Sequence, residues 1–223
     1  MTRHRFKPPL IQAAMAVSLV IGGTFTALTL APREAHAQAS RDAQAEQFVG
    51  VQAQRIVSIL DDHTISPADR TRAFRGVVDQ IADVPRITTF VLGKYARSIT
   101  PAQMQRFAPV FRAYEQSVYE TQLSNFNGKT VKVTGSVVRK PGDVVVNTII
   151  GGPGYKQPLA VSWRVLGGGG SWKVVDVQAG GVWLAITQQQ DFVSTIDNNG
   201  GNIDALIAQL QQQRQQRRTA HSR

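Results

Sequence analysis

Few residues in this 223-residue chain are equipped for covalent or acid–base chemistry. Cysteine is absent, which removes thiol nucleophiles, thiolate metal ligands and disulfides together. Within residues 38–210 the sole histidine is His63, in the turn Asp61-Asp62-His63. Three adjacent side chains point in different directions, whereas metal sites draw ligands from several elements, so this triplet reads as a surface loop. Asp176 stands in an apolar strand, Trp172-Lys173-Val174-Val175-Asp176-Val177. A carboxylate there is either an acid raised by burial, and so a candidate catalyst, or a structural group bonded to backbone or arginine. With no partner histidine beside it, the structural reading is preferred. The glycine clusters at 151–154 and 167–170 lack the lysine and following helix of a phosphate loop and read as turns. No catalytic residue, metal or cofactor is therefore expected.

The first 37 residues address the chain rather than build it. Arg3, Arg5 and Lys7 precede an apolar stretch from Leu10 to Leu30, which leads to Ala35-His36-Ala37. A basic start, an apolar middle and small residues at −3 and −1 make a secretory signal peptide, cleaved after Ala37 or Ala39. Gly22 and Gly23 weaken the competing reading, an uncleaved membrane anchor. The mature chain is expected to be exported, as one domain over residues 38–210. The segment 211–223, rich in Gln and Arg, is expected as a disordered or frayed-helical basic tail.

Net charge is +10 for the whole chain, from 25 basic and 15 acidic residues. Without the leader it falls to +7, and Arg214, Arg217, Arg218 and Arg223 of the tail hold four of those charges. The remaining +3 is too small and too dispersed for a nucleic-acid surface.

What must position any site is a helical first half and a strand-rich second half. Phe48, Val51, Gln52, Arg55, Ile56, Ile59 and Leu60 place a stripe on a helix over 42–60. Ser66-Pro67 caps a second helix, with Phe74, Val77, Val78 and Ile81 inward. A third follows Pro85 and carries Ile87, Phe90, Val91, Tyr95 and Ile99. Thr100-Pro101 opens a long helix to about Phe126, stopped by Asn127-Gly128. From Lys129 the apolar period becomes two, predicting strands near 131–137, 144–150, 159–165, 172–178 and 182–187. Helices at 191–196 and 203–210 close the chain. Helices first and an antiparallel meander afterwards predict an α+β fold with helices on one face of a curved sheet.

Several segments carry a resemblance. Phe90-Val91-Leu92-Gly93-Lys94-Tyr95, then Ala96-Arg97 and Thr100-Pro101-Ala102-Gln103, are similar to the leucine–glycine–basic–aromatic stretch and helix start of the MlaC family. These are periplasmic phospholipid carriers of lipid-asymmetry maintenance, also called toluene-tolerance or ABC-transporter auxiliary proteins. Phe107, Phe111, Tyr114, Tyr119 and Leu123 continue the likeness, as do Trp172 to Val177, Gly181-Val182-Trp183-Leu184, and Phe192 with Ile196. Two departures stand beside expected walls: Ala96 where many members have tryptophan, and Trp183 where serine is common.

The resemblance implies an NTF2-like cone, with N-terminal helices packed on a curved antiparallel sheet around an apolar cavity for acyl chains. The expected lipid-binding wall is Leu92, Tyr95, Phe107, Phe111, Tyr114, Val133, Val146, Val161, Trp163, Val175 and Trp183. Lys94 and Arg97 are candidates to flank its mouth. The implied partners are a phospholipid ligand, an inner-membrane ABC transporter with its substrate-binding ring protein, and an outer-membrane lipoprotein complex. Few head-group contacts, hence tolerance among phospholipids, are expected. The alternatives are a hopanoid or other lipid as cargo, in line with the departures at Ala96 and Trp183, or an NTF2-like enzyme using Asp176.

Overall fold

A computed structural model describes residues 40–123, 130–152 and 157–221. The expected leader over 1–37, the expected helix stop at Asn127-Gly128 and the Pro153-Gly154 part of the glycine breaker lie outside those residues.

Helix α1 spans Ala43–Leu60, and the Asp42 carboxylate accepts from the Ala45 amide at its start. Its buried stripe is Ala45, Val49, Ala53, Val57 and Leu60, whereas Val51 is 57% exposed. The face is rotated from the expected one because the contact uses alanines, which let the helix lie close on the sheet. Helix α2, Pro67–Ile81, has the Ser66 hydroxyl as its cap and proline in its first turn, and it buries Phe74, Val77 and Ile81. The third helix is split: α3 covers Val84–Phe90, and a separate 3-10 turn covers Gly93–Arg97. Helix α4, Pro101–Leu123, is the longest.

Five antiparallel strands then run as a meander in the order β1 to β5: Thr130–Lys140, Asp143–Gly151, Leu159–Gly168, Ser171–Ala179 and Val182–Trp183. The class is α+β, as expected. The last strand departs from the sequence reading, since after two residues the chain turns into helix α5, Leu184–Asn198. Helix α6, Ile203–His221, carries on through most of the segment expected to be disordered or frayed. The described residues form one compact unit.

Buried side chains fall into two clusters. The first joins α1 and α2 to the inward residues of the sheet, among them Val144, Val146, Val161, Trp163 and Val165. The second joins Val91, Leu92, Phe107 and Phe111 to Phe192 and Ile196 of α5 and to Leu206 and Leu210 of α6. Phe192 is its hub: the rings of Phe107 and Phe111 meet it nearly edge-on, at 6.2 and 5.7 Å between centroids.

Candidate functional site

An apolar cavity of about 410 Å³ lies along the seam between these two clusters. Ile56 of α1 and Phe74, Val78 and Ile81 of α2 form one side, Ile87 and Tyr114 another, and Trp163 with Val174 to Val177 the sheet side. Val182, Leu184 and Ala185 complete it from the β5–α5 junction. Val182 and Leu184 are 47% and 49% exposed, so this part of the lining is in contact with solvent. A smaller lobe of about 90 Å³ shares Phe74, Val78, Ala82, Ile87 and Glu115 with it and reaches Phe111.

The sheet side depends on an irregularity in β4. Arg164 pairs with Asp176 but Val165 pairs with Val174, which leaves Val175 as an extra residue, a β-bulge. Val174, Val175 and Asp176 are consequently all buried in succession, where strict alternation would turn one of them out. The bulge puts four consecutive residues on the cavity and brings the Asp176 carboxylate against the start of α5. One oxygen, Asp176 Oδ1, accepts hydrogen bonds from the amides of Ala185 and Val177, both at 2.8 Å. Burial raises its carboxyl above the ordinary range, while the Ala185, Val177 and Ile186 amides and the Arg164 charge pull it back. Helix α5 has no side-chain cap from its own N-cap residue Trp183. Asp176 supplies that cap from the neighbouring strand, so its environment is that of a structural carboxylate.

Trp163 is also fixed. Its indole nitrogen donates to Thr148 Oγ1 at 3.0 Å, and that hydroxyl donates to the Val161 carbonyl at 2.9 Å. One face of the cavity is therefore a tryptophan that cannot swing freely.

Of the eleven residues expected on the wall, the structure brings Tyr114, Trp163 and Val175 together on the main cavity. Val146 and Val161 are packed inside the first cluster, and Val133 is half-buried against it. Leu92 and Phe107 are fully buried in the second cluster, and Phe111 reaches only the smaller lobe. Tyr95 packs on that cluster's outside and its hydroxyl donates to Asp197. Trp183 does not line the cavity, although Val182 and Leu184 on either side of it do. Neither Lys94 nor Arg97 lies on the cavity. Lys94 is instead paired with Asp197, at 2.8 Å.

The sequence reading missed Phe74, Val78, Ile87 and, above all, Arg217. Residue 217 continues the inward series of α6, Ile203, Leu206 and Leu210, at helical spacing. Its guanidinium carbon stands 5.8 Å from the Tyr114 ring centroid. Burial pushes the Tyr114 phenol up, Glu115 pushes it further, and Arg217 pulls it down. The Asp61-Asp62-His63 triplet is a surface turn. Asp62 Oδ1 accepts from the Thr64 amide at 2.9 Å, and Arg70 contacts His63 Nδ1 at 3.2 Å. Among the described residues no group of three metal-ligating side chains converges, and no helix is long and apolar enough to cross a membrane.

Comparison with known proteins points the same way. The chain is 25% identical over 137 residues to toluene tolerance protein ttg2D of Pseudomonas putida. It is 27% identical over 127 residues to the intermembrane phospholipid transport system binding protein MlaC of Haemophilus influenzae. These alignments take in 60% and 55% of this chain and 63% and 58% of the relatives. A phospholipid-binding protein from Ralstonia solanacearum, solved in complex with a phospholipid, superposes with a TM-score of 0.66 at 27% identity. That superposition covers 79% of this chain and 98% of the other. The model of the MlaC protein family matches residues 51–212, and by that match the chain belongs to the MlaC family.

Proposed function

We propose that this protein is a periplasmic phospholipid carrier that holds acyl chains in the cavity at the seam and moves them between the two membranes of a Gram-negative envelope. The observation that carries this reading is the 410 Å³ apolar cavity, walled by both the helices and the sheet. Its volume falls within the range of about 300–1,000 Å³ usual for ligand sites. Membership of the MlaC family and likeness to a phospholipid-bound protein support the choice of ligand.

An enclosed site is what such cargo requires. At about 0.8 kcal/mol per methylene, carrying two chains of roughly sixteen carbons through water uncovered would cost on the order of 25 kcal/mol. Release then needs a membrane-bound partner that binds an opened form better than the closed one. The partners in this reading are an inner-membrane ABC transporter with its substrate-binding ring protein and an outer-membrane lipoprotein complex. The basic, apolar, small-residue order of residues 3–37 supports export.

The test is to export the full-length chain in a Gram-negative host, purify it from the periplasm without detergent, and weigh the native protein and its organic extract. One phospholipid per chain is the expected result. A hopanoid mass would change the cargo class, and protein that carries no lipid at all would overturn the carrier reading.

A further inference from the structure

Resting on that reading, the exposed side of the cavity bears on what the carrier touches when lipid passes. Val182 and Leu184 belong to the lining and stand open to solvent. Two more large apolar side chains, Ile186 and Phe90, are exposed in the same part of the fold without lining the cavity. Ile186 lies in the first turn of α5, and Gln189, three residues further on, donates from Nε2 to the Phe90 carbonyl at 2.6 Å. Phe90 in turn follows the lining residue Ile87 by three on α3, so the two share a helix face. The four side chains gather where β5, α5 and α3 meet at the cavity. Single exposed apolar residues are ordinary, whereas a group of them marks a contact surface. Most charges nearby are matched: Arg86 by Asp83 and Lys94 by Asp197, each at 2.8 Å. In the smaller lobe Arg112 is paired with Asp79, and Arg75 and Glu115 are engaged within the fold. Asp176 caps α5, and Asp191 is exposed. Against that one open carboxylate stands α6. Its Arg217 lines the cavity, 5.8 Å from the Tyr114 ring centroid, and its Arg214 is exposed about one turn earlier. After Asp204 the sequence holds four arginines and no acidic residue.

We propose that this side of the protein docks directly on an anionic phospholipid bilayer. Val182, Leu184, Ile186 and Phe90 enter the head-group layer, and the arginines of α6 lie against lipid phosphates. Cargo then passes between bilayer and cavity without crossing open water. The apolar border calls for an apolar phase at the moment of transfer, since each methylene that crosses water uncovered is penalised. The basic end of α6 decides which phase that is: exposed guanidinium groups beside apolar side chains are what holds a protein at the interface of an anionic membrane. A neutral bilayer, or a protein with an apolar face, would meet the border and leave the arginines unmatched. An anionic bilayer meets both.

The protein purified after export of the full-length chain is mixed with vesicles of phosphatidylcholine, or of equal parts phosphatidylcholine and phosphatidylglycerol, and bound protein is measured by flotation. Binding to the mixed vesicles should exceed binding to the neutral ones by about tenfold and shrink as salt is raised. Ile186→Asp and Phe90→Asp should each lower it by about fivefold or more. Lipid recovered with these two variants should stay at the wild-type amount, since neither residue lines the cavity. Val137→Asp brings the same charge to an exposed position on β1, at the other edge of the sheet, and should bind as wild type. Arg214→Glu should remove most of the preference for mixed vesicles, and Asp191→Asn should raise it. Equal binding to both vesicles overturns the docking, as do Ile186→Asp and Phe90→Asp that bind as wild type, or Val137→Asp that loses as much as they do. Binding to neither vesicle overturns it too and assigns the surface to a protein partner. Purified wild type that carries no lipid overturns the carrier reading instead, whatever the vesicles show.

Discussion

Asp176 and Asp143 are both buried carboxylates, 7% and 2% exposed, yet their surroundings push them in opposite directions. Asp143 accepts both arms of Arg164, at 3.0 and 2.9 Å, and that guanidinium holds its carboxyl below the ordinary value. A depressed carboxylate gives stability that is present above the unfolded-state pKa, near 3.8, and is lost as pH falls through the folded value. Asp143→Asn should therefore cost about 3 kcal/mol at pH 7, where Arg164 would lose its paired carboxylate, and less at pH 3, below the unfolded-state value. Urea melts at the two pH values check this, and an equal cost at both would refute it. Asp176 has the reverse sign. Its folded pKa is raised, so its contribution is complete below the unfolded value and is lost as pH rises through the folded one. Asp176→Asn keeps an oxygen for the Ala185 and Val177 amides and sheds a buried charge, so it should melt at or above wild type at pH 7. Asp176→Ala should lose about 1–2 kcal/mol with the cap.

At the scale of elements, two glycines lock the hairpin ends together. The Gly167 amide donates to the Gly142 carbonyl at 3.0 Å. A Cβ on Gly167, whose φ is +144°, would fall 2.0 Å from the Ser171 carbonyl oxygen. Backbone cannot yield as a side chain does, so Gly167→Ala should cost about 3 kcal/mol in chemical denaturation. A wild-type denaturation midpoint would contradict that. Helix starts were legible in the sequence because a cap is a local event: Ser66-Pro67 and Thr100-Pro101 each name the residue that ends the loop. The bulge at Val175 was legible only in part, since the apolar period slips by one between Val174 and Val175, whereas the residue left without a partner is a fact of pairing between β3 and β4. Likewise Leu184 to Thr187 reads as strand until Asp176, eight residues earlier, is known to receive the first amides of a helix. Most of the wall eluded the sequence for the same reason. Phe107 and Trp163 are both inward aromatics, and only packing decides that one fills a core while the other lines a cavity.

The whole molecule is two cores with a cavity along their seam. Ala82 borders both lobes of that space. Ala82→Phe should fill part of it, reducing lipid recovered from the exported protein at least about fivefold while the melting temperature holds or rises, as cavity filling commonly does. Undiminished lipid in folded Ala82→Phe would move the acyl site elsewhere. Lipid bound only to the folded form should also raise the melting temperature of the wild type in a concentration-dependent way. The seam has a mechanical consequence too. Hydrostatic pressure favours whichever state eliminates internal void, and here the void lies between bodies rather than within one. Stripped of lipid, the protein should compress along the seam and unfold at lower pressure than the loaded form, with both cores intact until it does.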